Sequence, residues 1–218
     1  MQVTIEENFD ILKPFGPSVL KVKIPENIVN TLNDYIDKTI SDNQKANDLN
    51  LGNKLAGDVT QEFKLEQEFM TKSGWTKFLA ESVQKWMWVE QKKKLTRFDL
   101  INSWIVRQFK DEYNPIHWHS GHISGAGFLK VPRTFGKHVQ DDKGNKEYLG
   151  GRLTLVHGVK QFLSNAKLQI KPEVGDFYFF PHYLMHTVYP FKGTDDERRS
   201  ISFNALIDDK IFNVYGND

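Results

Sequence analysis

The chain has 218 residues, with 29 Lys and Arg against 28 Asp and Glu, and it contains no cysteine. A formal charge of +1 gives no basic footprint for nucleic acid or an anionic membrane, so neither partner is expected. Without thiols there are no disulfides, zinc–thiolate sites or cysteine nucleophiles, and any metal must sit on His, Asp, Glu, carbonyl or water ligands. The start, Met1 to Glu7, lacks a basic stretch ahead of an apolar one, and no segment approaches the ~20 apolar residues of a membrane span, so a soluble, cytoplasmic protein is expected.

The length suits one all-β or α+β domain. Val19 to Ile24 alternates as a strand does, and Pro25 then opens a helical pattern through Ile28, Leu32, Tyr35, Ile36 and Ile40. Ser41 to Gly57 is rich in Asn, Asp and Lys and reads as a solvated loop. From Trp75 to about Lys93, the spacing of Leu79, Val83 and Trp86 predicts a second helix packed on a sheet. After Leu95 the chain becomes short β-branched and aromatic runs separated by Gly, Pro, Asn and Asp. These runs are Phe98 to Phe109, Gly125 to Val131, Arg152 to Val156, Leu168 to Ile170, Asp176 to Phe180, His186 to Phe191 and Arg199 to Ile207. Strands without intervening helices predict an antiparallel sandwich or barrel. Pro132 to Tyr148, with Arg133, Lys137, His138, Asp141, Asp142 and Gly144, is too long for a hairpin and reads as a functional lid or a disordered segment.

Two segments carry metal-ligand chemistry. In Pro115-Ile116-His117-Trp118-His119, residues two apart share a face of an extended chain, so His117 and His119 can converge. His186, opening Thr187-Val188-Tyr189 about seventy residues later, supplies a third imidazole from a distant strand. A lone strand histidine is more often a hydrogen-bonded core residue, the default for His138 and His157. His122 and His182 are expected outside the ligand set, as supporting, substrate-contacting or surface residues.

Behind the histidines lies Glu197-Arg198-Arg199-Ser200-Ile201-Ser202-Phe203. Arg198 and Ser200 share one face and offer a guanidinium and a hydroxyl to a single carboxylate, a bound dicarboxylate being the preferred target. Arg199 faces the opposite way, and a register shift of one would exchange the two roles. Asp195, Asp196 and Glu197 could pair with either arginine, making the run an ordinary charged strand start.

Several blocks, in order, resemble a prolyl-hydroxylase-like branch of the Fe(II)- and 2-oxoglutarate (2OG)-dependent oxygenases often seen in bacteria and marine phages. They are Asn102-Ser103-Trp104, Tyr113 to His119, Ser124-Gly125 with Leu129 to Pro132, Gly175-Asp176 with Phe180-Pro181, His186 to Phe191, and Glu197-Arg198 with Ser200 to Asn204. They cover about Asp99 to Leu206, whereas the N-terminal half carries no usable motif. The resemblance implies a double-stranded β-helix (jelly-roll, cupin-like) core at 96–208, with 1–95 as a helical support region and 1–218 as a single domain. It also implies Fe(II) as cofactor, 2OG and O2 as cosubstrates, and a host cytoplasm if a phage encodes the chain.

Residue by residue, His117 resembles the proximal iron ligand and His186 the distal one, while Arg198 with Ser200 would hold the far carboxylate of 2OG. His119 stands where the superfamily usually has Asp or Glu. It either completes a three-histidine site or lies outside it, with water, Asp111, Glu112 or Asp176 as the third ligand. In another register, His119-Ser120-Gly121 resembles the carboxylate-free sites of halogenases and aspartyl hydroxylases, although His117 matches the prolyl-hydroxylase-like pattern better. Phe128, where relatives tend to have a tyrosine, cannot donate a hydroxyl to 2OG. The implied reaction hydroxylates an unactivated C–H bond, of a peptide or protein side chain such as prolyl or of a small molecule. Trp118, Tyr183, Tyr189 and the loop after Pro132 are its candidate substrate rim. Two other readings stand beside it: a cupin-like three-histidine metalloenzyme without 2OG, and a non-enzymatic jelly-roll module binding carbohydrate or serving a structural role.

Overall fold

A computed structural model describes residues 9–12, 16–52, 55–136 and 148–213. The chain runs β1 (Phe9–Leu12), β2 (Val19–Lys23), α1 (Glu26–Ser41), α2 (Asn43–Leu49), β3 (Gln61–Lys64), α3 (Gln67–Lys72) and α4 (Trp75–Gln91). It continues with β4 (Phe98–Gln108), β5 (Asn114–His117), β6 (Ile123–Lys130), β7 (Leu153–Val156), β8 (Lys167–Ile170), β9 (Asp176–Pro181), β10 (Met185–Val188), β11 (Arg198–Ile207) and α5 (Asp209–Phe212). All named strand pairs are antiparallel, in a large sheet of order β1-β2-β9-β6-β11-β4-β3 and a small one of order β5-β10-β7-β8. This is the expected double-stranded β-helix with flanking helices.

The large sheet is buried on both faces, which explains why its strands do not alternate apolar with polar. One face receives the helices. Leu32 and Ile36 of α1 and Trp75, Leu79 and Val83 of α4 join Ile105, Phe177, Phe179, Ile201 and Phe203 in one apolar cluster. Gly125 and Gly127 of β6 let this layer close, because a Cβ on either would lie within 2.6 Å of the Phe177 ring. The other face looks between the sheets. There Tyr178 and Phe180 pack with Phe128, Leu153, Leu155 and Leu184, and Trp104 and Val106 form a smaller cluster with Val59.

The segment before residue 95 does more than flank the core. It supplies both strands at one edge of the large sheet, β1 and β2, and the strand at the other edge, β3. The solvated loop expected from Ser41 to Gly57 contains helix α2, started by Asp42, whose carboxylate accepts from the backbone N–H of Gln44 and Lys45 at 3.1 Å each. No residue of α2 is buried, so it has no apolar periodicity to read. His157, expected in a core, is exposed near the end of β7. Residues 137–147, which include His138, Asp141, Asp142 and Gly144, lie outside the described residues. Among the described residues, no helix is long and apolar enough to cross a membrane.

Candidate active site

Strand pairing brings the two histidine segments together. β10 lies between β5 and β7, and its register sets His186 opposite His117. His119 follows just beyond β5, its backbone N–H donating to the His182 carbonyl at 3.1 Å. One potential ligand atom from each of His117, His119 and His186 falls within 4.8 Å of the others. His119 Nε2 and His186 Nε2 are 3.0 Å apart, the spacing of two adjacent ligands each about 2.1 Å from one ion.

The ring orientations suit metal ligation. His117 Nδ1–H donates to the Pro115 carbonyl at 2.7 Å and His186 Nδ1–H to the Leu184 carbonyl at 2.9 Å. A carbonyl can only accept, so each Nδ1 carries the proton and each Nε2 keeps a free lone pair, held in place by the backbone. Desolvation and the repulsion of the neighbouring imidazoles push His119 down to about 3 and His186 down to about 4, and burial lowers His117 as well. All three rings are therefore neutral, the form that binds a metal.

The three carboxylates considered as alternative ligands are engaged elsewhere. Asp176 pairs with Lys21 at 2.9 Å and Lys23 at 2.5 Å, and Asp111 is exposed and meets Lys192 at 3.6 Å. Glu112 accepts from the Thr60 N–H and hydroxyl and from the Phe109 N–H. Among the described residues, the cluster has three imidazoles and no carboxylate.

The anion end of the cavity comes from β11, whose alternation sends Arg198, Ser200 and Ser202 inward and Ile201 and Phe203 toward the helices. Arg198 is 2% exposed; its Nε donates to the Gly151 carbonyl at 2.9 Å and its Nη1 to the Ser200 hydroxyl at 3.1 Å. The guanidinium centre lies 5.1 Å from the centroid of the Phe128 ring, so the residue that replaces a hydroxyl donor is the platform of the arginine. No carboxylate among the described residues pairs with Arg198, and desolvation pulls it down to about 9. A buried guanidinium without a counter-ion among the described residues is suited to hold an anion. Arg199 points the other way, as expected, with Glu197 at 2.7 Å and Asp37 at 2.6 Å.

A family of proteins described as "Putative 2OG-Fe(II) oxygenase" matches residues 102–204, from within β4 to within β11. The match spans just under half of the chain, and over it the chain is similar to the 2OG-Fe(II) oxygenases. No curated protein matches the sequence. The chain shares its fold with solved structures. A prolyl-4-hydroxylase of Pseudomonas putida superposes with a TM-score of 0.54 at 13% identity, over 85% of this chain and 91% of that one. A collagen prolyl hydroxylase of Paramecium Bursaria Chlorella virus-1, in a 2OG complex, gives 0.51 at 13% identity, over 86% and 94%. A Trichoplax adhaerens prolyl hydroxylase, in complex with a peptide fragment of the hypoxia inducible factor oxygen degradation domain, gives 0.52 at 10% identity, over 96% and 88%.

The remaining expectations divide. Trp118, 64% exposed, borders the histidine cavity. Tyr183 lines a separate groove beside His122 and Phe212, and Tyr189 lines another with Tyr113, Ile116 and Thr187. His182 supports the site through its Nδ1–H bond to the His119 carbonyl at 2.9 Å, and His122 accepts from the Ile207 N–H at 3.1 Å. The sequence reading missed Glu62 and Asn114 and the segment Leu55 to Gly57, all of which line the cavity.

Proposed function

We propose that the chain is an Fe(II)- and 2OG-dependent dioxygenase that hydroxylates a C–H bond of a peptide or protein side chain, prolyl being the first residue to test. One observation carries the reading. A buried, acid-free guanidinium, Arg198, and three neutral imidazoles face a single cavity.

His117, His119 and His186 would hold the iron, and Arg198 with Ser200 would hold the far carboxylate of 2OG. Bound there, iron with 2OG and O2 supplies the chemistry that converts 2OG to succinate and CO2 and a substrate C–H to C–OH. The backbone carbonyls of Pro115 and Leu184 fix the tautomers of His117 and His186, so both rings are ready before any metal arrives. Arg198 needs little rearrangement to accept a carboxylate, since Gly151, Ser200 and Phe128 already hold its side chain. Val188 and Leu153 give the cavity apolar wall, which strengthens the attraction between Arg198 and an anion. The proposed chain acts as one domain, 1–218, since the cavity takes residues from both sides of residue 95.

Under argon, Fe(II) with 2OG should produce a weak visible charge-transfer band, and in air a panel of peptides led by prolyl sequences should release succinate. Neither band nor succinate would overturn the reading. The carboxylate-free ligand set favours one competitor, a cupin-like three-histidine enzyme without 2OG. Arg198→Ala separates the two, because it should abolish 2OG-dependent turnover in the first and leave metal chemistry intact in the second.

A further inference from the structure

One buried group of the cavity has no task in that reaction. Glu62 on β3 is 1% exposed, and its Oε2 has no hydrogen-bond partner among the described residues. Register sets Glu62 opposite Val106 and Val106 opposite Ser200, so one row of side chains crosses the sheet from Glu62 to the anion end. All three line the cavity, while Phe63, next along β3, packs into the helix-side core. Glu62 thus faces the space where a substrate would enter.

The surroundings of Glu62 offer acceptors. A Cβ on Gly57 would lie 2.6 Å from Asn114 Oδ1 and 3.3 Å from Glu62 Oε1, and Gly57 does not have a positive φ. Glycine is needed there for space. Glu112, the neighbouring acid, already accepts bonds from Thr60 and Phe109 and brings no donor. Desolvation and repulsion from Glu112 push the Glu62 carboxyl up to about 7. Two indoles border the same cavity, Trp104 at 5% exposure and Trp118 at 64%.

A carboxyl buried without a donor is unfavourable until a ligand brings one. Acceptors clustered beside indoles select a ligand rich in N–H groups and positively charged, since charge adds attraction to the carboxylate and to the ring faces. We infer that Glu62 is a specificity residue and that the substrate carries a cationic nitrogen, an ammonium or a guanidinium, held by Glu62 beside Trp104 and Trp118. The inference rests on the oxygenase reading and replaces prolyl, as its first substrate to test, with a lysyl or arginyl side chain or a free amine of the same chemistry.

Full-length protein loaded with Fe(II) and 2OG under argon is titrated calorimetrically with butylammonium and butylguanidinium, and with pentanamide and butanol as neutral counterparts. The cations should bind at least about tenfold more tightly than the neutral probes. Glu62→Gln should remove that preference, and Gly57→Ala, which fills the acceptor cradle, should weaken cation binding by its own route. Lysyl and arginyl peptides compared with the free amino acids then distinguish a protein substrate from a small one. Equal binding of cationic and neutral probes, a preference that survives Glu62→Gln, or no binding at all overturns the inference. The visible band of the same wild-type sample reads the iron–2OG site separately. A band without cation preference removes only the substrate class, whereas a missing band removes the oxygenase reading.

Discussion

Arg198 and Arg199 are neighbours on β11, each 2% exposed, and they lie on opposite faces of the large sheet. Arg199, on the helix side, meets Glu197, Asp37 and Asn33. Arg198, on the cavity side, has a carbonyl, a hydroxyl and a phenyl ring but, among the described residues, no acid. Glu197 and Glu62 repeat the contrast with the opposite sign. Glu197 is bonded by Arg107 and Arg199, and Glu62 has an orphan oxygen. In these two pairs, the member on the helix face is neutralised within the chain, and the member lining the cavity is placed for a ligand to complete.

The contrast is most sharply tested at Arg198. Arg198→Met should weaken 2OG binding on the order of 10³-fold, as loss of a buried charge-assisted pair does, without lowering stability. Calorimetry and urea unfolding check the two halves. Arg199→Met should do the reverse, costing about 3–5 kcal/mol in urea by stranding Glu197, while the folded fraction keeps its 2OG affinity.

Acid and base should then separate Glu197 from Glu62. Even though burial opposes ionisation, hydrogen bonds from Arg199 and Arg107 hold Glu197 down at about 2 against an ordinary 4.5. Its contribution, about 3 kcal/mol, is present above pH 4.5 and lost as pH falls toward 2. Glu62, raised to about 7, works the other way, favouring the fold below pH 4.5 and imposing a penalty of about 3 kcal/mol as pH climbs through 7. Unfolding followed from pH 3 to 8 should therefore flatten at its acid end in Glu197→Gln and at its neutral end in Glu62→Gln. The smallest effect belongs to Trp118→Ala, which should change stability by less than about 0.5 kcal/mol and alter only substrate or probe binding.

Most of the β core was legible because its strands are dense in aromatic and β-branched residues and end at Gly, Pro, Asn or Asp. The helices α1 and α4 were legible because each buries one face against the sheet. β3 and α2 were not. Gln61-Glu62-Phe63-Lys64 has one apolar residue in four, and α2 buries none, so neither carries a period. For the site, a short-range pair and a distant third histidine could be read from spacing and resemblance. Glu62 could not, since no local pattern distinguishes a glutamate that faces a cavity from one that faces water. Only the pairing of β3 with β4, set by residues some forty positions away, gives it that role.

β3 is the last named strand of its sheet, paired with β4 on one side and bridged by Asn50 on the other, while the histidines come from β5, β10 and the segment just beyond β5. Glu62, which would choose a substrate, and the histidines that would hold the iron therefore rest on different sheets, while Arg198 and Ser200 share the sheet of Glu62. Such a division lets a change at one edge position, Glu62, alter what the cavity accepts while the three histidines stay where the small sheet holds them.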